Sequence, residues 1–445
     1  MNFKASLLYA KKIIFPKKTK SRGNKSLFGA MLCIGISLIP LVAILGVSSG
    51  MTEGITNRII ELSSGDLQLY FEKAGPLSSS YENLKTAAEK FYQFDGVNQV
   101  FPELTCSALA AGKSYRSGAC VRGVEKDIFT KNSGFAEYFE VLDGSTKFEN
   151  ENSAVIGKHL ADLLDLKVGD TFRIITINKI GKASVPKVSA FKVSGIVSCG
   201  YQELDALWVF IPIQSAFKSL AASSVQFSLE FFTSCTFDSE RLFKLQNEIQ
   251  NFLYFDEDFE NSYILRWDEV NKSQFENFSS TNALLFLIVF IIVLAASINI
   301  SSAVVMLVME RKKEIAILKS TGASSFGISF AFLLAGTSCG LGGMIFGIPL
   351  GLLICANINQ IIKFLESTAN FFAGAYNALV YGKDFVSSEI HILNPDFYLQ
   401  NIPVNIPVEK LVLVGIFTII LSMIMAIIPS VKAGKEKPIN TLRKV

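Results

Sequence analysis

The chain is poor in the residues that build metal and redox sites. It has only two histidines, His159 and His391, and its seven cysteines are nowhere closer together than fourteen residues. This spacing excludes HExxH zinc sites, CxxC redox pairs and zinc ribbons. The sequence therefore predicts no metal site and no thiol redox centre.

Charged residues are also scarce. They make up 18% of the 445 residues, whereas typical soluble domains have ~25%. The formal net charge of +3 is too small to indicate nucleic-acid binding, and the sequence has no basic stretch with interleaved aromatic residues. Because 50% of the residues are apolar, we expect part of the chain to face lipid.

Long apolar runs occur at four places, 27–47, 284–309, 328–356 and 411–428. A helix needs about 20 apolar residues to cross the hydrocarbon core of a bilayer, and none of these runs has a charged residue in its interior. A cleavable signal peptide is the alternative for the first run, but this run is too long and lacks a clear small-x-small cleavage site. The sequence therefore predicts an α-helical membrane protein with four transmembrane helices.

Lysine and arginine indicate the orientation, because positive residues in short loops stay in the cytoplasm. Residues 1–25 hold eight basic and no acidic residues, whereas residues 362–410 hold three basic and five acidic residues. We therefore expect both termini to be cytoplasmic. The predicted organisation is a cytoplasmic basic segment (1–25), transmembrane helix 1 (26–50), a large outer α+β domain (51–281), transmembrane helix 2 (282–309), a cytoplasmic helix (310–325), transmembrane helix 3 (326–361), a short outer loop (362–410), transmembrane helix 4 (411–431) and a cytoplasmic tail (432–445).

The basic amino-terminal segment also has a helical pattern. Phe3, Leu7, Ala10 and Ile14 follow helical spacing, and lysines lie around them. This pattern predicts a helix on the anionic inner leaflet. A disordered basic tail is an equally good interpretation of the pattern.

The outer segment has a mixed α+β pattern with a strand, helix, strand set at each end. These two sets indicate related βαβ-type units, and the middle between them is rich in predicted strands. The predicted elements are 66–71, 81–92 and 97–109, then 172–177, 190–197 and 207–213, and finally 224–233, 239–253 and 263–267.

Three features of the outer segment are candidate sites. His159 is interpreted as a surface residue, since no nucleophile accompanies it. The acidic run at 255–260 lacks the spaced ligands of a calcium loop, so we expect a solvated turn. Cys106 and Cys120 are one possible disulfide pair, because the outer compartment permits oxidation.

The second apolar run continues into MERKKEIAILKSTGA, a short amphipathic segment on the cytoplasmic side. Ile315 and Leu318 are three residues apart and share a helical face, and Gly322 is placed to end the helix. This pattern favours a surface for a cytoplasmic partner. An ordinary positive flank of a membrane span explains the charges but not the apolar face.

The same segment resembles the coupling-helix signature of four-span ABC transporter permeases of the MacB and FtsX type. Further stretches resemble the Lol (LolC/LolE) lipoprotein-releasing permeases, and together they cover nearly the whole chain. They are LLYAKK, VSSGMTEG, AVIGKHLADLLDLKVGD, FKVSGIVSCGYQELDALWVFIP, YLQNIPV and IPSVKAGKEKPINTLR. The resemblance implies a bacterial inner-membrane permease whose outer domain is of the MacB-like periplasmic core type.

The resemblance also implies that the chain itself is not an enzyme. No GxxxxGK[ST] motif occurs, since the nearest fragment, Gly112-Lys113-Ser114, has Ser107 where the first glycine belongs. ATP and Mg would be bound by a separate LolD-like ATPase chain. The other implied partners are a second permease chain, identical or different, a lipoprotein cargo, membrane lipids and a periplasmic LolA-like carrier.

The resemblance assigns three sets of residues in this chain. The coupling set contacts the ATPase, the cavity set lines a space for lipid at the outer ends of spans one and two, and the hairpin set docks the carrier at a loop expected within 178–187. The coupling set is Glu310, Arg311, Lys312, Glu314, Ile315, Leu318, Lys319 and Gly322; the cavity set is Leu45, Val47, Met51, Ile55, Leu285 and Phe286; the hairpin set is Ile180, Gly181, Val185, Pro186 and Lys187.

Small residues recur at three- or four-residue intervals in the third apolar run, at Gly336, Gly340, Gly343, Gly347 and Gly351. Such intervals let helices approach closely, so we expect packing against span four or a second permease. Two other functions stay open on sequence. They are a MacB-like exporter or FtsX-like mechanical regulator, and a membrane-anchored receptor or scaffold that transports nothing.

Overall fold

The computed structural model describes residues 3–14, 22–71, 77–181, 183–380 and 402–436. It divides into a helical unit (Met1–Met51, Phe278–Ile390 and Ile402–Val445) and an outer unit (Thr52–Asn277 and His391–Asn401). The helices are α1 (Phe3–Ile14), α2 (Arg22–Ile59), α3 (Tyr81–Glu89), α4 (Ile128–Lys131), α5 (Ser133–Tyr138), α6 (Lys158–Leu164), α7 (Gln202–Asp205), α8 (Ile213–Ser219), α9 (Ser239–Phe255), α10 (Trp267–Val270), α11 (Lys272–Glu310), α12 (Lys312–Ser320), α13 (Ser325–Ala356), α14 (Ile358–Val380) and α15 (Val408–Lys435).

Among the described residues, four helices are long and apolar enough to cross a membrane, namely α2, α11, α13 and α15. They contain the four predicted apolar runs. Two of them extend well beyond these runs, because α2 continues to Ile59 and α11 begins at Lys272. The polar residues at the carboxyl end of α2 and at the amino end of α11 are therefore also helical.

The glycines of α13 pack against two neighbouring helices of the helical unit. A Cβ atom at Gly347 would lie 2.7 Å from the carbonyl oxygen of Gly35, and one at Gly343 would lie 2.7 Å from Cβ of Ile34. Gly351 faces Val42 of α2 in the same way, while Gly336 and Gly340 face Ala426 and Ser422 of α15. The predicted close packing is confirmed, but three of the five glycines contact the first long helix rather than the fourth.

A helix also occupies part of the segment that was predicted as an outer loop. α14 spans Ile358–Val380, and the Asn359 side chain fixes its first turn. The Asn359 amide nitrogen donates to the carbonyl oxygen of Ile402 at 3.0 Å, and the backbone nitrogen of Ile402 donates to the Asn359 amide oxygen at 3.1 Å. Residues 381–401 of the predicted loop lie outside the described residues.

The outer unit is built on one ten-stranded sheet. Its strand order is β10-β1-β9-β2-β3-β8-β5-β7-β4, and β6 pairs with β2 and β7. The strands are β1 (Leu67–Tyr70), β2 (Val97–Ala111), β3 (Arg116–Val124), β4 (Glu140–Gly144), β5 (Ser153–Gly157), β6 (Thr171–Ile180), β7 (Ala183–Ser198), β8 (Trp208–Pro212), β9 (Val225–Thr233) and β10 (Tyr263–Arg266).

The two predicted βαβ-type units are present and interleave. β9 lies between β1 and β2 and is antiparallel to both, and β1 lies between β9 and β10 and is antiparallel to both. The strands of each unit are therefore parallel to each other, with a strand of the other unit between them, as in a split βαβ arrangement. α3 and α9 contribute Leu84, Leu245 and Ile249 to the core beneath these strands.

The possible Cys106–Cys120 disulfide is absent, since all seven cysteines are free thiols. The register of β2 and β3 gives the reason, because Cys106 pairs with Val121 and Cys120 pairs with Ser107. Neighbouring residues of a strand point to opposite faces. The two thiols therefore lie on opposite faces of the sheet and cannot form a bond.

Candidate functional site

The predicted cytoplasmic helix is present as α12, Lys312–Ser320. Arg311 separates it from α11, because the backbone of Arg311 (φ −88°, ψ 11°) departs from helical geometry. The Arg311 guanidinium lies 2.6 Å from a carboxylate oxygen of Glu314, one turn further on. This contact stabilises the junction between α11 and α12. The side chain of Glu310, the last residue of α11, is exposed.

The apolar face of α12 differs from the predicted one. Ile315 is 0% exposed and packs in the core of the helical unit, and Leu318 is half-buried. The prediction that Ile315 presents an apolar surface to a partner is therefore wrong. The exposed apolar residue of α12 is Ile317, with 55% of its surface accessible.

Gly322 ends α12 as predicted. Its φ of +91° lies in the left-handed region, which glycine adopts without strain. The backbone nitrogen of Gly322 donates to the carbonyl oxygen of Lys319 at 3.1 Å, and that of Ala323 donates to the carbonyl oxygen of Leu318 at 2.9 Å. This pair of bonds is a Schellman motif, which satisfies the last carbonyl groups of the helix.

Two lysines of α12 contact the end of α15. The ammonium group of Lys319 donates to the carbonyl oxygens of Gly434 and Glu436 at 2.7 and 2.9 Å. The ammonium group of Lys312 lies 2.6 Å from a carboxylate oxygen of Glu436. Both lysines are thus paired within the chain, and the side chain of Lys312 stays 47% exposed.

The amino-terminal helix packs against this region. The predicted helix is present as α1, but its buried residues are Ala10 and Ile13, whereas Leu7 of the predicted apolar face is exposed. Tyr9 packs edge-to-face on Phe332 of α13, with ring centroids 6.2 Å apart. Burial, together with the nearby Glu314 carboxylate, raises the pKa of Tyr9 to about 12, so its hydroxyl stays neutral.

The predicted cavity set is only partly accessible. Leu45, Met51 and Ile55 are buried, so the prediction that they line an open cavity is wrong for this conformation. Val47 and Leu285 are half-buried. Phe286 borders an apolar cleft of about 180 Å³ between α11 and α15, whose other lining residues are Val289, Phe290, Val293, Leu413, Val414 and Phe417.

The predicted hairpin is formed by β6 and β7, which pair from Thr171 opposite Lys192 to Ile180 opposite Ala183. Gly181 turns the chain with a φ of +63° and has open space around it. Val185 and Pro186 are exposed. Lys187 is not a free surface contact, because its ammonium group donates to the carbonyl oxygens of Lys218 and Leu220 at 2.7 and 2.9 Å.

The hairpin also presents exposed apolar residues that were not among the predicted site residues. Ile177 and Val188 are both exposed. Ile177 lies opposite Pro186 in the register, and Ile175 lies opposite Val188. Because alternate residues of a strand share a face, Ile177, Pro186 and Val188 form one exposed apolar face, called the hairpin face below. The alternating Ile and Val residues on both strands were the available signal.

The acidic run at 255–260 and His159 make contacts within the chain. Asp256 and Asp258 of the acidic run lie 2.9 and 2.7 Å from the ammonium group of Lys90. His159 is half-buried and lies 2.8 Å from the side-chain nitrogen of Gln202. The described residues contain no cluster of three or more metal-ligating side chains.

Comparison with known proteins assigns the two units. Residues 27–251, just over half of the chain, match the MacB-like periplasmic core domain, and residues 286–438 match the FtsX-like permease C-terminal domain. The outer sheet and the long apolar helices thus define a membrane permease with a MacB-like periplasmic domain. The chain belongs to the MacB- and FtsX-like permease superfamily.

Full-length relatives narrow this assignment. The lipoprotein-releasing system transmembrane protein LolC of Neisseria meningitidis serogroup B is 23% identical over 96% of both chains. LolE of Haemophilus influenzae is 23% identical over 94% of both chains. The periplasmic region of MacB from Actinobacillus actinomycetemcomitans matches with a TM-score of 0.30, 14% identity, and coverage of 49% of this chain and 96% of that chain. Along nearly its whole length, the chain is thus similar to lipoprotein-releasing transmembrane proteins of the LolC and LolE type.

Proposed function

We propose that the chain crosses the inner membrane four times and acts as the permease subunit of a lipoprotein-release machine. A separate ATPase chain hydrolyses ATP, and the permease moves an acylated lipoprotein from the outer leaflet to a periplasmic carrier. Both termini and α12 are cytoplasmic in this proposal, in keeping with the lysines and arginines that flank them. ATP and Mg are bound by the ATPase, and a second permease chain completes the assembly.

The geometry of α12 is the observation that carries the proposal. Ile315 fixes the helix to the core of the helical unit, while Ile317 stays exposed. A short helix that is held on one side and apolar on the other suits the docking of an ATPase. A passive membrane anchor has no need for such a helix.

An energy source is required because the cargo leaves the bilayer. Each acyl CH₂ group that is withdrawn from lipid costs about 0.8 kcal/mol. We infer that the apolar cleft beside Phe286 offers an acyl chain a partly shielded surface during this step, since its lining residues are all apolar. We further infer that the carrier docks on the hairpin face, whose exposed apolar residues favour a protein contact.

The test is reconstitution of the full chain with a co-expressed ATPase in nanodiscs. ATPase activity is measured with and without a triacylated lipoprotein, and transfer of the lipoprotein to a soluble carrier is followed in the same samples. We expect the lipoprotein to stimulate hydrolysis and to appear on the carrier only when ATP is present.

Other results would point to other functions. An associated ATPase whose activity does not change when the lipoprotein is added would favour an exporter or a mechanical regulator. Purification without any ATPase would favour a receptor or scaffold. In either case lipoprotein release would be rejected.

A further inference from the structure

The short helix α12 is joined by the chain to two of the four long apolar helices. It follows α11 through Arg311 and precedes α13 through the turn at Gly322. The chain makes no such connection to α15, whose last residue, Lys435, lies 115 residues beyond Ser320 in the sequence. Motion of α12 therefore reaches α15 through noncovalent contacts.

Side chains of α12 make such contacts at the carboxyl end of α15. The final carbonyl groups of a helix lack partners within the helix and carry a partial negative charge. The Lys319 ammonium group supplies two hydrogen bonds there, to the carbonyl oxygens of Gly434 and Glu436. Lys312 adds an ion pair with the Glu436 carboxylate.

Close packing holds the same end of α15 against α13. Gly434 is buried, and a Cβ atom at this position would collide with the hydroxyl oxygen of Ser329 and lie 2.5 Å from the carbonyl oxygen of Ser325. The carboxyl end of α15 thus fits between the beginning of α13 and the end of α12. A shift of α12 cannot leave this end of α15 in place without breaking the Lys319 bonds.

We propose that Lys319 is a positioning residue that couples α12 to α15, so that the two helices move together when the ATPase moves α12. This inference rests on the proposed function, because it assumes that α12 docks the ATPase. It gives Lys319 a different role from the one the family resemblance implies. The lysine acts within the chain rather than on the ATPase.

The test compares Lys319→Met with Lys313→Met in the full chain assembled with its ATPase. Lys313 lies on the same helix, and its side chain is exposed, which makes it a matched control. We expect Lys319→Met to keep ATPase association but to lower lipoprotein released per ATP hydrolysed by about tenfold. Lys319→Arg should restore most of the coupling, since arginine keeps the positive charge and the donors.

A distance measurement distinguishes a loss of coupling between α12 and α15 from a loss of stability. Spin-labelled unnatural amino acids at the exposed positions Ser320 and Val412 report on α12 and the far end of α15. In the wild type and in Lys313→Met, this distance should stay the same with and without a trapped ATP analogue. In Lys319→Met it should change when the analogue binds.

Either of two results would overturn the inference. One is a wild-type distance that changes on nucleotide binding as much as that of Lys319→Met. The other is a normal ratio of release to hydrolysis in Lys319→Met. Failure of the proposed function looks different, because the wild type itself would then bind no ATPase or release no lipoprotein.

Discussion

The guanidinium group of Arg122 lies 3.1 Å from a carboxylate oxygen of Glu230, inside the sheet of the outer unit. A second carboxylate, that of Glu103, accepts hydrogen bonds from Arg122 as well. All three residues are about 2% exposed. Arg122 also bonds the carbonyl oxygen of Leu62, in the π-helical turn that follows α2. One buried cation therefore ties three strands to the end of the first long helix.

Arg122→Met should destabilise the outer unit by about 3–5 kcal/mol, because it leaves a buried carboxylate without its partner. The check is unfolding of the full chain in nanodiscs, monitored by the fluorescence of Trp208. The ring centroid of Trp208 lies 5.0 Å from the guanidinium carbon of Arg122. The double variant Arg122→Met, Glu103→Gln removes both charges and should recover part of the loss. Equal losses in the single and double variants would contradict the role of the buried pair.

Glu230 should make stability depend on pH. Burial and the neighbouring Glu103 carboxylate raise the pKa of Glu230 well above its ordinary value, against the opposing charge of Arg122. A carboxyl group whose pKa is raised by folding contributes stability at low pH, and this contribution is lost as the pH rises through the folded pKa. As the pH rises, we expect the unfolding temperature of Glu230→Gln to fall less than that of the wild type. Parallel pH profiles would refute the expectation.

The two isoleucines of α12 should behave differently when replaced by aspartate. Ile315→Asp buries a charge in an apolar core, so the variant should fail to fold. Ile317→Asp leaves the fold intact and should weaken ATPase association by about tenfold, the effect of losing about 1.4 kcal/mol of contact energy. Size-exclusion profiles report folding, and co-purification reports association. Normal association of a folded Ile317→Asp variant would remove this residue from the docking surface.

Gly347→Ala should destabilise the helical unit by about 1–3 kcal/mol, since the added methyl group overpacks the contact with Gly35 and Leu38. Gly29→Ala is the matched control, because Gly29 lies in α2 and has nothing within 4 Å of its added methyl group. Alanine there should be neutral or slightly stabilising. The fraction of monodisperse protein that remains after heating measures both variants.

All seven cysteines should titrate as free thiols in the unfolded protein, with or without prior reduction. In the folded protein Cys106 and Cys199 are buried, and burial raises the pKa of the Cys199 thiol. Both should therefore react slowly with alkylating reagents. Mass spectrometry of alkylated peptides checks this, and a thiol count that rises after reduction would reveal a disulfide.

The sequence predicted elements well where one periodic signal dominates. The apolar runs predicted the four long helices, and the strand, helix, strand sets at both ends of the outer segment are present. Gly322 was placed correctly because a left-handed helix end favours glycine strongly. The interleaving of the two sets was not predicted, since strand order depends on contacts that are distant in sequence.

The candidate site was harder to predict for the same reason. Ile315, Ile317 and Leu318 are all apolar residues of a nine-residue helix, and periodicity over so short a segment does not tell which one faces the core. The role of Lys319 depends on Gly434, which is 115 residues away. The burial of Leu45 likewise comes from neighbours on other helices, with which it shares a core.

The first and last strands of the outer sheet in chain order, β1 and β10, are hydrogen-bonded neighbours, with Leu67 opposite Arg266. The two ends of the chain segment that forms the sheet therefore lie one strand spacing apart, about 5 Å. A force that separates these two ends would act on the four residue pairs between β1 and β10. The outer sheet thus begins and ends at one pair of neighbouring strands, so a change in the spacing of the chain segments before β1 and after β10 would reach the sheet at this pair.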